Sequence, residues 1–140
     1  MSGDFIDSNV FIYMFDGVDH RKRGIAVGLI NNAQENRSGR ISFQVVQETL
    51  NVITRRIDNP ATISDARRFL DFVLAPLWVV MPSASIYGGA LDIQARYRYS
   101  FYDSLIIASA LDSGSSRLIT EDLQDGQRIE GLTITNPFAA

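Results

Sequence analysis

Residues 100–120 read SFYDSLIIASALDSGSSRLIT. The run from Ser100 to Leu111 is almost continuously apolar or small after its first turn, which predicts a buried helix closing at Ser113-Gly114. A short strand, SRLIT, follows at once. A buried helix feeding directly into a short apolar strand is the unit of a sheet covered by helices. One residue disturbs that reading: Asp103, an acid in the first turn of an otherwise core-like helix.

The same alternation runs outward in both directions. Upstream, DFIDS predicts a first strand and NVFIYMF one or two helical turns ending near Asp16-Gly17. DHRKRGIAVGLINNAQENRSG predicts a helix with Ile25, Leu29 and Ile30 on one face, ended by Gly39. GRISF is a second strand, and SFQVVQETLNVITRRI is a helix with Val46, Leu50, Ile53 and Ile57 on one stripe. NPATISDARRFLDFVLAPL predicts another helix, on which Ala66, Phe69, Leu70 and Val73 repeat. LWVVMP is too short for a helix and reads as a buried strand. SASIYGGALDIQARYRY is helical, weakened at Gly88-Gly89. Downstream, EDLQDGQ is a loop or short helix and LTITNP a last strand. Strands alternating with helices imply an α/β fold with a parallel sheet covered on both faces, in one domain spanning residues 1–140.

Composition narrows the chemistry. The chain has 140 residues and no cysteine, so thiolate chemistry and disulfides are excluded. Its one histidine, His20, sits in a polar helix start, so multi-histidine zinc sites are excluded as well. Any metal must be held by oxygen, which suits magnesium or manganese. The net charge is −3, and of 13 basic residues only Lys22 is a lysine. Arginine suits planar recognition of phosphate and carboxylate. The chain has no apolar run long enough to span a membrane and no secretory signal at its start, which places it in the cytoplasm by expectation.

In parallel α/β sheets, ligands bind beyond the carboxyl ends of the strands. Four acids fit that rule. Asp7 ends the first strand, and Asp122 follows SRLIT. Asp103 starts the helix before that strand, and Glu48 lies two turns into its own helix between Val45 and Val52. Each has a plainer use. Asp7 suits a turn or helix cap, Asp103 a capping box from Ser100, Glu48 a helix surface and Asp122 a loop. Their conjunction carries the argument. Two carboxylates about 5 Å apart repel by roughly 3 kcal/mol at an effective dielectric of about 20. A divalent ion relieves that repulsion, lowers the pKa of bound water and stabilises charge on a phosphoryl oxygen. The reaction this favours is metal-assisted hydrolysis of a phosphodiester. Asp7 and Asp103 are then the principal ligands, with Glu48 and Asp122 binding or orienting water or a second ion. If Asp103 binds metal, its capping bond should be weak.

IDSNVFIY, VVQETLNV, SFYDSLIIASAL and LITEDLQDGQ together resemble the four motifs of the PIN domain family, most closely its VapC-type toxin ribonucleases. The resemblance spans residues 4 to about 136. It implies a three-layer α/β/α fold around a parallel sheet of about five strands, and an endoribonuclease dependent on Mg2+ or Mn2+. It maps the catalytic and metal-binding acids onto Asp7, Glu48, Asp103 and Asp122, with Ser8 and Asn9 matching the polar residues after the first Asp. Glu121 and Asp125 stand near Asp122, so the fourth acid is open among the three. The resemblance also implies RNA as substrate, a cognate antitoxin as partner and a homodimer. Arg96 and Arg98 suit RNA phosphates, a subunit interface or plain solvation. A non-catalytic PIN-fold scaffold or RNA-binding protein is the rival from another class. A dehalogenase-type phosphatase wants an Asp where this chain has Asn9, and a receiver domain wants a lysine after a late strand.

Overall fold

A computed structural model describes residues 3–56 and 59–139. Strands β1 (Asp4–Ile6), β2 (Gly39–Ser42), β3 (Trp78–Val80), β4 (Arg117–Ile119), β5 (Arg128–Ile129) and β6 (Leu132–Thr135) form one sheet, in the order β3-β2-β1-β4-β6-β5. Every neighbouring pair is parallel except β5 with β6. Helices α1 (Ser8–Tyr13), α2 (His20–Asn36), α3 (Phe43–Arg55), α4 (Ile63–Phe69) and α5 (Ala75–Leu77) form one packed group, and α6 (Ala84–Tyr97) with α7 (Phe101–Asp112) form another. The α/β reading of the sequence holds, with one strand more than expected.

That strand is β5. Arg128 pairs with Thr133 and Ile129 with Leu132, so only Glu130 and Gly131 lie between the strands. Both have positive φ, 53° and 89°, as a type I′ two-residue hairpin turn requires. Glu-Gly is a weaker turn signal than Asn-Gly, and a two-residue strand leaves no alternation to detect.

The helix after the Pro60 turn starts at Ile63, where the Thr62 hydroxyl accepts from the Asp65 amide. It widens into a π-helical turn over Leu70–Leu74 before α5. On α3, Val46 and Ile53 are buried and Leu50 half-buried, whereas Ile57 lies outside the described residues. Helix α2 ends with Arg37 in the left-handed conformation, and Gly39 follows that end by two residues. Gly39 has a different constraint: a Cβ there would come 3.0 Å from Ala33 and 3.2 Å from both Ile6 and Leu77.

One expectation needs correction. The LWVVMP strand is present, but at the sheet edge and buried only in part: Leu77 and Val80 are buried, whereas Val79 is 56% exposed. An edge strand pairs on one side only, so an apolar run there need not be covered. Helix α6 forms as expected and runs unbroken through Gly88 and Gly89. Ile86, Ala90 and Ile93 bury one stripe, and tertiary burial outweighs a propensity cost of about 1 kcal/mol per glycine.

Helix α7 is the most deeply set element, with every residue from Ser104 to Ala110 buried. At the far end of the central strand pair, Arg117 donates two bonds to Asp4, Nε to Oδ1 at 2.8 Å and Nη2 to Oδ2 at 2.7 Å. These residues are also register partners, so the fork pins β1 against β4. Ile107 on α7 is fully buried, so Ile107→Ala is expected to lower stability by about 2–5 kcal/mol in urea unfolding. A loss below about 1 kcal/mol would contradict the packing described.

Candidate active site

The chain enters the site through β1. Phe5 and Ile6 are fully buried and fix the strand, so the next residue, Asp7, is delivered at its carboxyl end while still 94% covered. Its amide donates to the Ile119 carbonyl at 3.0 Å, tying the exits of β1 and β4 together. Here the sheet order reverses, because β1 connects forward to β2 on one side and pairs with the late strand β4 on the other. This is the switch point at which such sheets open a crevice.

Asp7 does both things the sequence allowed. As N-cap of α1, its Oδ1 accepts from the Ser8 amide at 2.7 Å. Its Oδ2 accepts from the Thr120 hydroxyl at 2.9 Å and from Asn9 Nδ2 at 3.4 Å. Asn9 Nδ2 also reaches Thr120 Oγ1 and Asp122 Oδ2, each at 3.1 Å. The Ser8 hydroxyl donates to Glu48 Oε1 at 3.1 Å. Asp7, Glu48 and Asp122, from three distant segments, therefore meet around two small polar side chains at the start of α1.

Glu48 is half-buried, and its second oxygen accepts from Gln44 Nε2 at 3.3 Å. The same nitrogen donates to the Tyr102 carbonyl at 3.2 Å, which links α3 to the first turn of α7 and hence to the neighbourhood of Asp103. Asp103 is half-buried. Its amide donates to the Ser100 hydroxyl at 3.2 Å, but its carboxylate makes no hydrogen bond among the described residues. The expected competition between capping and ligation is absent, because Ser100 caps the turn and the Asp103 oxygens stay available.

The neighbouring acids divide by partner. Glu121 accepts from Tyr13 at 2.5 Å and from Lys22 at 3.0 Å. The ammonium stabilises Glu121 and is itself held above its ordinary pKa by that carboxylate and by Tyr13. The Tyr13 hydroxyl is raised above its usual range, chiefly by its bond to Glu121. Asp125 accepts from the Asn136 amide at 2.8 Å and braces its loop. Asp122 is the one of the three that shares Asn9 with Asp7.

Two contributors escaped the sequence reading. Thr120 precedes the acidic pair Glu121-Asp122, and Gln44 sits one turn before Glu48. Gln44 is a polar residue between Phe43 and Val45, which is its only trace in the sequence, and Thr120 is hidden by the acids that follow it. Arg96 forms an ion pair with Glu130 at 2.9 Å, and Arg98 is exposed. His20 is exposed, as its polar context suggested.

Burial dominates the electrostatics. It pushes the Asp7 carboxyl from 3.8 up to about 7, with Glu48 and Asp122 adding repulsion and Thr120 and Ser8 opposing. The donors present suit a hard divalent cation, being carboxylates with hydroxyl and amide support. The buried Asn9 Oδ1 and Gln44 Oε1 have no hydrogen-bond partner, leaving further oxygen acceptors in the site. Among the described residues, no three acidic or histidine side chains form a finished metal cage, so ligation requires the carboxylates to draw in.

The profile of the PIN domain family matches residues 5–128. The chain belongs to the PIN domain family. Solved structures of the same fold include a toxin–antitoxin complex from Klebsiella pneumoniae, 20% identical, covering 99% of this chain and 100% of that one at a TM-score of 0.69. The chain is also similar to the Mycobacterium tuberculosis toxin VapC20, described as cleaving the sarcin–ricin loop, at 20% identity, 83% and 87% coverage and a TM-score of 0.60. VapBC2 from Rickettsia felis, bound to a DNA fragment from its promoter, is 17% identical, with 95% and 97% coverage and a TM-score of 0.67. No curated protein matches the sequence significantly.

A raised carboxyl pKa makes metal-free stability fall as pH rises. Folded Asp7 keeps its proton up to about pH 7 while the unfolded chain releases it near 3.8. Stability from this group is complete below that lower value and is lost through pH 7, by at most about 4 kcal/mol at 1.36 kcal/mol per unit. Chelator-treated protein is expected to lose denaturant resistance across that window, and Asp7→Asn to flatten the profile. An identical slope in both proteins would contradict the burial argument.

Proposed function

We propose that the chain is a metal-dependent endoribonuclease that hydrolyses RNA phosphodiester bonds, and that it is the toxin of a toxin–antitoxin pair. The observation that carries the reading is the meeting of Asp7, Glu48 and Asp122 around Ser8 and Asn9 at the switch point of a PIN-domain sheet, with the unengaged Asp103 carboxylate on the adjoining helix. Nuclease chemistry needs charge of both signs there. A buried carboxylate held near neutrality by desolvation regains its anionic form when a cation arrives.

When bound, Mg2+ or Mn2+ supplies Lewis acidity toward a phosphodiester oxygen. Asp7 and Asp103 would hold the ion. Thr120 keeps one Asp7 oxygen fixed, and Ser8 the other. Glu48 and Asp122 orient water or a second ion. Gln44 and Ser8 hold Glu48 from opposite oxygens, so its position survives loss of either bond. Asn9 spaces Asp122 from Asp7 and offsets part of their repulsion through its donor hydrogens.

The partners follow from the same reading: single-stranded RNA as substrate, a cognate antitoxin as inhibitor and a second copy of the chain as dimer mate. The similar folds seen in toxin–antitoxin complexes support the antitoxin. No helix among the described residues is long and apolar enough to cross a membrane.

Purified chain is expected to cleave single-stranded RNA with Mg2+ or Mn2+, and Asp7→Asn or Asp103→Asn to lower the rate by at least about a hundredfold with the fold retained. Equal cleavage in excess chelator would sink the metal mechanism. Absence of cleavage of any RNA by metal-loaded protein would favour the scaffold reading. Mn2+ should also raise the Tm of the wild-type chain and leave that of Asp7→Asn unmoved.

The fourth acid has its own test. Asp122→Asn is expected to slow cleavage by about tenfold or more, whereas Glu121→Gln, which disturbs a lysine and a tyrosine rather than Asn9, should change it little. The reverse order would move the role to Glu121. Growth arrest on expression, relieved by a neighbouring reading frame, tests the toxin assignment; harmless expression counts against it.

A further inference from the structure

A row of aromatic rings runs up to the acids. Phe43 and Tyr87 meet edge-on at 6.1 Å between centroids. Tyr87 and Phe101 lie nearly parallel, 19° apart at 6.4 Å, and Phe101 meets Tyr102 edge-on at 5.5 Å. The row begins in the core and ends in solvent: Phe43 is 6% exposed, Tyr87 39% and Tyr102 66%. Its last ring belongs to the residue immediately before Asp103.

Tyr102 differs from most of the other tyrosines. The hydroxyls of Tyr13, Tyr97 and Tyr99 donate to Glu121, Glu130 and Gln127. The Tyr102 hydroxyl makes no hydrogen bond among the described residues, so nothing polar holds the ring in the open. Its backbone, by contrast, is fixed. Gln44, 3% exposed, donates from one nitrogen both to the Tyr102 carbonyl and to Glu48. The exposed ring is therefore anchored to the same side chain that positions a site carboxylate.

We propose that Tyr102, backed by Phe101 and Tyr87, is a stacking platform for an unpaired nucleobase flanking the scissile phosphate. The proposal rests on the nuclease reading and extends it to substrate form. Every base has a π-face, so an aromatic platform accepts many sequences, but bases stacked within a duplex do not present that face. Single-stranded segments and loops are then the substrate because of this ring, and the acids alone would not distinguish them. The platform touches a base rather than the reacting atoms, so it governs binding more than chemistry.

The test uses the full chain made inert by Asp7→Asn, with Tyr102 as Tyr, Phe, Trp or Ala. Binding is followed by anisotropy of a labelled short RNA, single-stranded or annealed, and by quenching of 2-aminopurine placed in the strand. Tyr102→Ala is expected to weaken single-strand binding by roughly five- to a hundredfold and to abolish the quenching. Duplex binding should not change, and Phe and Trp should restore both signals. In the active chain, Tyr102→Ala should raise KM more than it lowers kcat. Unchanged single-strand binding and quenching in Tyr102→Ala overturn the platform while leaving the nuclease reading intact. So does equal weakening for strand and duplex, which would make the ring a general contact. If the Asp7→Asn chain with Tyr102 intact binds no RNA in either form and the wild-type chain with Mg2+ or Mn2+ cleaves none, the nuclease reading fails and the platform with it; cleavage by the wild-type chain with no single-strand binding by the variant overturns the platform alone.

Discussion

Burying Asp7 is the constraint around which this structure is arranged. A carboxylate 94% covered, with two other acids nearby, is costly in any charge state unless its surroundings compensate. The compensation comes from three donors at once: the Ser8 amide at the start of α1, the Asn9 side chain one residue on, and the Thr120 hydroxyl after β4. The first two donors follow Asp7 on its own segment, but the Thr120 hydroxyl is in place only when β1 and β4 are paired. The parallel register of that pair, reinforced by the Asp4–Arg117 fork at the opposite end, is thus a condition for the site as well as for the sheet.

The second condition is the placement of α3 against α7. Glu48 and Asp103 lie on different helices, and the sheet alone does not set their separation. Gln44 does so by reaching from α3 to the Tyr102 carbonyl while holding Glu48. A glutamine buried among apolar residues needs such partners. Its Oε1, like Asn9 Oδ1, is buried without a hydrogen-bond partner. The polar residues of the site thus form two bridges, one across the strands through Thr120 and Asn9 and one across the helices through Gln44.

Charge is sorted with similar economy. The only lysine is committed to Glu121 and Tyr13, beside the site rather than in it. Arg96 is paired with Glu130 and Arg117 with Asp4. The acids near Asp7 therefore share neutral donors, Ser8, Asn9, Thr120 and Gln44, and a neutral donor lowers repulsion without filling the place of a cation.

Local sequence was enough for the α/β alternation, the buried α7, the position of each site acid after a strand or early in a helix, and the family, because these follow from hydrophobic periodicity and short-range motifs. Some features were not legible. A two-residue strand has no period, so β5 was missed. Position in the sheet is not encoded in a strand's own residues, so β3 read as buried although it lies at the edge. Gly88-Gly89 lie within a continuous helix whose buried stripe, Ile86, Ala90 and Ile93, is set by packing. The choice among Glu121, Asp122 and Asp125 could not be made along the chain, because three acids within five positions look alike there. Tertiary structure separates them by partner: Lys22 and Tyr13 take the first, Asn9 the second, and the Asn136 amide the third. Periodicity determines which face of an element is buried, whereas which side chains meet across elements depends on register and packing between segments more than 100 residues apart, as with Asn9 and Asp122.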